Sequence, residues 1–333
     1  MTIRDLAKLS GVSIATVSRV LNNNERVSDD TRLAVEQAMV ELNYQKPAPR
    51  RKKPTKLFGV IVRNMSNPFF AQLLDVIEEE AYKHGRSILL FNSRNNLQLE
   101  KTFLSECVNH KVDGVFLIPR SLKEAHLQPL KTLPFPVILL TATTPSIASI
   151  GTNHQHGGAL VANHIVEQGH QHIGYLGASS RLSDRFIGFR DTLAENGRQL
   201  PDSHILTPFT TESLTDYIET NIHHAEHPLS AIFCSDDISA AQLHNALNQR
   251  PKGSRTQIDI VGFDDTFLAQ SLGFSSVKQP IKQIALLGFD VMIHALQKGE
   301  IENREMLLEP SLVVRNTPVF SSFDRKAEIL KEG

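Results

Sequence analysis

From Leu57 onward the chain alternates between short apolar runs and longer amphipathic stretches, and it does so in two rounds. The runs L-F-G-V-I-V, S-I-L-L-F-N, D-G-V-F-L-I-P and P-V-I-L-L-T lack polar alternation, as strands covered on both faces of a parallel sheet do. Helical patterns over 69–84 and 100–110 separate the first three. The second round comprises H-I-G-Y-L-G, A-I-F-C-S-D-D and I-D-I-V-G-F-D-D, with helical patterns near 185–196 and 239–248. Two rounds of βα units predict an α/β protein with two doubly wound lobes.

The N-terminus obeys a different period. Thr2 can cap a helix, with Asp5 completing a capping box. Leu6, Ala7 and Leu9 give that helix an apolar side. Gly11 stands where the chain must turn, and Ser13 is a natural N-cap for a second helix. Val17, Val20 and Leu21 recur at helical spacing and predict packing onto the first helix. A third helix is expected over 31–43, with Val35, Ala38, Met39 and Leu42 inward. Three short helices around a small core leave Ile14, Ala15, Thr16, Ser18, Arg19 and Asn22 facing out, the geometry that enters a DNA major groove. Ile14 and Ala15 can pack on thymine methyl groups, and Arg19 can reach guanine O6 and N7. Ser13, Thr16, Ser18 and Asn22 suit phosphate oxygens, which set register.

Charge supports this division. Residues 1–56 hold eleven Lys/Arg against six Asp/Glu, whereas the remaining chain holds 24 against 30. A basic head on an acidic body implies a polyanion-binding module. Between the two lies K-P-A-P-R-R-K-K-P-T-K, a proline-rich linker at 46–56 in which Arg50, Arg51, Lys52 and Lys53 can contact phosphate. Cys107 and Cys234 fall in runs that read as strand-like and are expected to be buried thiols in a reducing cytoplasm. The charges at Arg4, Asp5 and Lys8 break any leader pattern, and no apolar run approaches the roughly 20 residues of a membrane helix.

In open α/β lobes, ligands bind beyond the carboxyl ends of the strands. Asn64, Thr141, Asp236, Asp237, Asp264 and Asp265 all fall at such ends. Asp236 and Asp265 read as caps of following helices. Adjacent strand residues point to opposite faces, so neither aspartate pair converges as a glycosidase pair would. The histidines at 154, 156, 170, 172, 223, 224 and 227 lack cysteine or clear carboxylate partners, so no metal is expected, and no P-loop or G-x-G-x-x-G implies a cofactor.

The segments V-S-I-A-T-V-S-R-V-L-N, V-S-D-D-T-R and E-L-N-Y resemble the headpiece of the LacI/GalR (lactose-repressor) family of bacterial transcription regulators, and the likeness continues to Arg315. The resemblance implies two periplasmic-binding-protein-like lobes joined by crossing strands and preceded by an all-α helix-turn-helix headpiece. On that pattern the headpiece is 1–45, the linker 46–56, lobe one 57–156 with 282–312, lobe two 157–281 with 313–318, and the tail 319–333. It implies base contacts from Ile14, Ala15 and Arg19. It implies an effector held by Arg185, Asp237 and Asp264, with Phe69 of N-P-F-F on the cleft wall and Phe209 as an aromatic platform. With Asn64 and Thr141, these residues suit a sugar or sugar derivative. A homodimer on a pseudo-palindromic operator follows, since one headpiece covers one half-site. The chain departs from the family in its linker: no Leu, Ile, Met or Phe lies between Gln45 and Lys56 to wedge into a minor groove. The basic run is expected to replace that wedge with charge. The competing readings are a carbohydrate-active enzyme, which would turn substrates over, and a solute-binding receptor, which would need no headpiece.

Overall fold

The computed structural model describes residues 2–21, 27–42, 44, 54–177, 183–248 and 258–315. The chain divides into two compact units, Met1–Pro54 and Thr55–Gly333.

The first unit contains α1 (Ile3–Ser10), α2 (Ile14–Leu21) and α3 (Asp29–Glu41). Thr2 Oγ1 accepts from the Asp5 N–H and the Asp5 carboxylate accepts from the Thr2 N–H, so two of the donors left over at the start of α1 are satisfied reciprocally. Gly11, at φ 67°, ends α1 in the left-handed region that costs a residue without Cβ least. Ser13 Oγ then accepts from the Thr16 N–H at 3.1 Å and starts α2. α3 begins two residues earlier than its apolar period indicates, because Asp29 and Asp30 favour the positive end of the helix dipole. Leu6, Val17, Val20, Val35 and Ala38 form the core. Leu9, expected inward, is 43 % exposed, since the chain turns at Gly11 before anything covers it.

The second unit contains two six-stranded sheets. Its elements are β1 (Leu57–Val62), α4 (Pro68–Lys83), β2 (Ser87–Asn92), α5 (Leu97–Asn109), β3 (Gly114–Leu117), α6 (Glu124–Leu127), β4 (Val137–Leu140), β5 (Ser149–Thr152), α7 (His154–Glu167), β6 (Ile173–Leu176), α8 (Asp184–Glu195) and β7 (Ile205–Leu206). They continue with α9 (Thr211–Ile218), β8 (Ala231–Cys234), α10 (Asp237–Asn248), β9 (Asp259–Phe263), α11 (Phe267–Leu272), β10 (Ser275–Lys278), α12 (Ile281–Lys298), β11 (Glu305–Leu308) and β12 (Ser311–Val313). The first sheet runs β11-β5-β4-β3-β1-β2 and is wholly parallel. The second runs β12-β10-β9-β8-β6-β7, with only β12 antiparallel.

The chain leaves the first sheet after β5 and returns through α12, whose Ile284, Ala285, Phe289 and Met292 join that sheet's core. It crosses again between β11 and β12, where Ser311 and Leu312 already pair with β10. The apolar runs of β1, β3, β4, β6, β8 and β9 become buried rows, while β2, at the edge of its sheet, is only part-buried. Phe58, Phe116 and Phe289 meet in one lobe, and Tyr175, Phe189 and Phe233 in the other. Both cysteines are free and buried, but Cys107 lies in α5 and not in a strand, since F-L-S-E-C-V follows the period of a helix. No described helix is long and apolar enough to cross a membrane.

Candidate functional site

On the first unit, burying Val17 and Val20 turns the opposite side of α2 to solvent. Ile14 is 46 % exposed, and Ala15 and Arg19 are exposed beside it. Ser13 and Thr16 are engaged with each other, their hydroxyl oxygens 2.8 Å apart, so the capping group and a candidate phosphate contact are one pair. Ser18 is part-buried on the same helix. Asn22, Arg50, Arg51, Lys52 and Lys53 lie outside the described residues.

On the second unit, the carboxyl ends of strands from both sheets converge on one cleft of about 1780 Å³. That exceeds the roughly 300–1,000 Å³ of most small-ligand pockets. Asn64 after β1, Phe69 at the start of α4 and Thr141 after β4 line it from the first lobe. Arg185 in α8, Phe209 before α9 and Asp264 after β9 line it from the second. Sequence reasoning missed Arg63, Arg120, His154 and Gln279, which line it too. Arg63 had a signal, an arginine directly following a buried strand; His154 was visible only as part of a His-x-His pair.

Glycines place Arg185. A Cβ on Gly158 of α7 would overlap the Arg185 carbonyl oxygen, and one on Gly188 of α8 would overlap that of Gln155. The two helices therefore touch backbone to backbone, which sets the first turn of α8 against the start of α7. Arg185 Nε donates to His154 Nδ1 at 3.3 Å, so the proton of this neutral ring sits on Nε2, 3.4 Å from the Thr141 carbonyl. Burial, then the charge of Arg185, brings the His154 pKa down to about 3 and keeps the ring neutral. His154 thus joins the first lobe's β4 end to the second lobe's arginine.

Arg185 is further fixed by the Ser235 carbonyl at 2.6 Å, by Asp264 at 3.3 Å and by the face of Phe263, 3.7 Å from its guanidinium carbon. Asp264 Oδ1 also accepts from Gln279 Nε2 at 2.6 Å, and Gln279 Oε1 accepts from Thr152 Oγ1 at 2.7 Å. Burial raises the Asp264 carboxyl to about 6, against the pull of Arg185. Thr141 and Asp264 both hold positive φ, 68° and 109°, a backbone cost of order 1–3 kcal/mol each that the surrounding bonds sustain.

Two expectations change. Asp237 does not line the cleft. It is buried, accepting from the Thr266 N–H at 2.6 Å, the Thr266 hydroxyl at 2.8 Å and the Ser276 hydroxyl at 2.6 Å. As the first residue of α10 it points back against β9 and β10, whereas Asp236 faces the cleft and caps α10 through the Ser239 N–H at 2.8 Å. Asp265 is no helix cap; it pairs with Arg315 at 2.6 Å, and Thr266 caps α11. Of the aspartate pairs, Asp237 and Asp265 are thus turned to other partners, and neither pair presents two carboxylates to one reacting atom. Among the described residues no group of three or more His, Cys, Asp or Glu could hold a metal ion.

Comparison with known proteins agrees with both units. Residues 2–46 match the family described as bacterial regulatory proteins, lacI family, and residues 55–303 match periplasmic binding proteins and sugar binding domain of LacI family. The HTH-type transcriptional regulator GalR of Escherichia coli is 28 % identical over 95 % of both chains. The HTH-type transcriptional repressor PurR of Photobacterium profundum is 29 % identical over 95 % of this chain and 98 % of its own. The crystal structure of the lac repressor dimer bound to operator and the anti-inducer ONPF superposes with a TM-score of 0.65 at 25 % identity, covering 95 % of this chain and 98 % of that one. These relatives are regulators and not enzymes. With a helix-turn-helix headpiece and a two-lobed α/β unit both matched, the chain belongs to the lacI family of bacterial regulatory proteins and is a DNA-binding transcriptional regulator under effector control.

Proposed function

We propose that the chain acts in the cytoplasm as a homodimeric repressor whose affinity for a pseudo-palindromic operator is set by a sugar or sugar derivative held between its lobes. The observation that carries this is the pairing in one chain of an outward Ile14, Ala15 and Arg19 with a polar cleft lined from two sheets. In this reading 1–45 is the headpiece and 46–56 the linker. Lobe one is 57–156 with 282–310, and lobe two is 157–281 with 311–318, the last boundary set just before Ser311 because Ser311 and Leu312 pair with β10. Ile14 and Ala15 pack on thymine methyls and Arg19 grips guanine, while Ser13, Thr16, Ser18, Asn22 and the linker's Arg50, Arg51, Lys52 and Lys53 contact phosphates. Asn64, Thr141, Arg185 and Asp264 bond effector hydroxyls against the faces of Phe69 and Phe209. Effector favours one degree of lobe closure, and so one population of DNA-competent dimers, through its differential affinity for the open and closed cleft.

Selection from a random duplex library tests the headpiece. The parent should enrich a two-fold symmetric site. Arg19→Ala should lose discrimination at one symmetric pair of positions, by about 1–3 kcal/mol per half-site. If Arg19→Ala selects the same sequences as tightly, the assignment of α2 as the reading helix is wrong. Operator affinity should also fall steeply with salt, because charge stands where relatives carry a leucine; a shallow slope would remove the linker's assigned role.

A further inference from the structure

Among the described residues three guanidinium groups line the cleft, and they are not equivalent. Arg185 is committed to Asp264, the Ser235 carbonyl, His154 and Phe263. Arg63 is not. Among the described residues it has no ion pair, its Nε is buried without a hydrogen-bond partner, and its guanidinium carbon stands 5.7 Å from the centre of the Phe70 ring. Arg120 anchors only Nε, on the Asn95 carbonyl at 3.2 Å.

The nearby carboxylates are taken. Asp264 holds Gln279 and Arg185; Asp236 holds the Ser239 N–H and the Ser235 hydroxyl; Glu100 holds His126 at 2.6 Å and the Arg120 N–H. Asp184 lies on the opposite lobe and is exposed to water. The first lobe's wall is also rich in donors by construction. Asn64 Oδ1 accepts from the Ser66 N–H, which leaves its amide NH₂ to donate elsewhere, whereas Asn67, whose Oδ1 accepts from the Phe69 N–H, already bonds Asp264 through its side chain. Burial, then the charges of Arg185 and Arg120, pulls the Arg63 pKa below the ordinary arginine range. Asp264 and Glu100 offset this only in part, so a part-buried cation repelled by two others is left with a cost that a bound anion relieves.

We propose that the occupant of this cleft is anionic, a sugar-like polyol bearing a phosphate or carboxylate, and that Arg63 with Arg120 meets its charged group from the first lobe. This rests on the cleft being the effector site and narrows the class of effector. The guanidinium fork matches the oxygens of either group, and each charge-assisted bond strengthens in a closing cleft.

The experiment uses the full chain and matched pairs: glucose and glucose 6-phosphate, ribose and ribose 5-phosphate, glucose and gluconate, galactose and galacturonate, and inorganic phosphate alone. Binding is read by thermal shift and titration calorimetry. At least one anionic member should bind while its neutral partner binds at least about tenfold more weakly, and Arg63→Gln should weaken the anionic member about 10- to 100-fold. Without ligand, the Tm of Arg63→Gln should match or exceed the parent's. Should that variant fail to fold, the exposed Arg120→Gln carries the same comparison with a smaller loss. Phosphorylated and carboxylated members separate the two sources of charge. Binding of a neutral sugar that is indifferent to Arg63→Gln and Arg120→Gln would overturn the proposal and leave the effector site standing. The absence of binding by every charged member would overturn it as well, and whether the neutral sugars then bind decides if the site falls with it.

Discussion

The two walls of the cleft are built on opposite principles. The second lobe wires its charges together: Arg185 to Asp264 and Ser235, Asp264 on to Gln279 and Thr152, Asp265 to Arg315, Asp237 to Thr266 and Ser276. On the first lobe Asn64 and Arg120 are anchored at one atom and open at the others, and Arg63 leaves a buried donor unpaired. A wired wall is preorganised and loses little freedom when a ligand arrives. An unsatisfied wall gains most from the ligand, because its donors are already partly stripped of water. The contrast gives the two lobes different tasks, one to hold geometry and one to respond.

The strongest way to break this contrast is Arg185→Ala. It strands the buried Asp264 and strips His154 and the Ser235 carbonyl of their donor, so unfolding measured in urea should lose about 3–5 kcal/mol, with sugar binding abolished. An unchanged midpoint would mean that the second lobe is not held by its charges. Next comes Gly188→Val, which forces α8 off the Gln155 carbonyl and should cost about 1–3 kcal/mol or more. Circular dichroism melts read the stability, and a variant as stable as the parent would show that close helix contact does not set Arg185.

No larger, but more discriminating, is the aspartate pair. Asp237→Ala leaves the Thr266 amide and two hydroxyls without their acceptor and should destabilise by about 2–3 kcal/mol. Asp236→Ala loses a helix cap, about 1 kcal/mol. Equal losses would erase the distinction between a buried brace and a cleft residue.

The smallest effect is a pH trend. Asp264 titrates at about 6 against an ordinary 3.8, so between those values the folded chain keeps a proton that the unfolded chain has released. Its contribution is complete below the ordinary value and is lost as pH rises through the folded one. The Tm advantage of the parent over Asp264→Asn should therefore shrink as pH rises from about 4 to about 7. A gap that widens would show that ionised Asp264, held by Arg185, is the favoured native form.

How much of this is legible in the sequence differs by region. Ile14, Ala15 and Arg19 can be assigned to an outer face because a short helix with three inward apolar residues has one remaining side. Asn64, Thr141 and Asp264 can be placed because strand ends in parallel sheets share an edge. Asp237 cannot. Whether the first or the second aspartate of S-D-D faces the cleft depends on where α10 starts, and a one-residue shift turns the side chain by about 100°. Cys107 escapes for a related reason: an apolar residue in a short run fits a strand or a buried helix equally well.

By itself the sequence determined the periods, and with them the headpiece, the two rounds of βα units and the strand ends that carry polar groups, since each follows from local spacing. Only the tertiary structure decided which charges are committed and which are not. Arg185 meets Asp264 79 positions away, and Gln279 meets Thr152 across 127, while Arg63 meets no such partner among the described residues. Pairings of that kind are set by how sheets cross and helices touch, and an arginine's neighbours in space are not encoded in its neighbours in the chain.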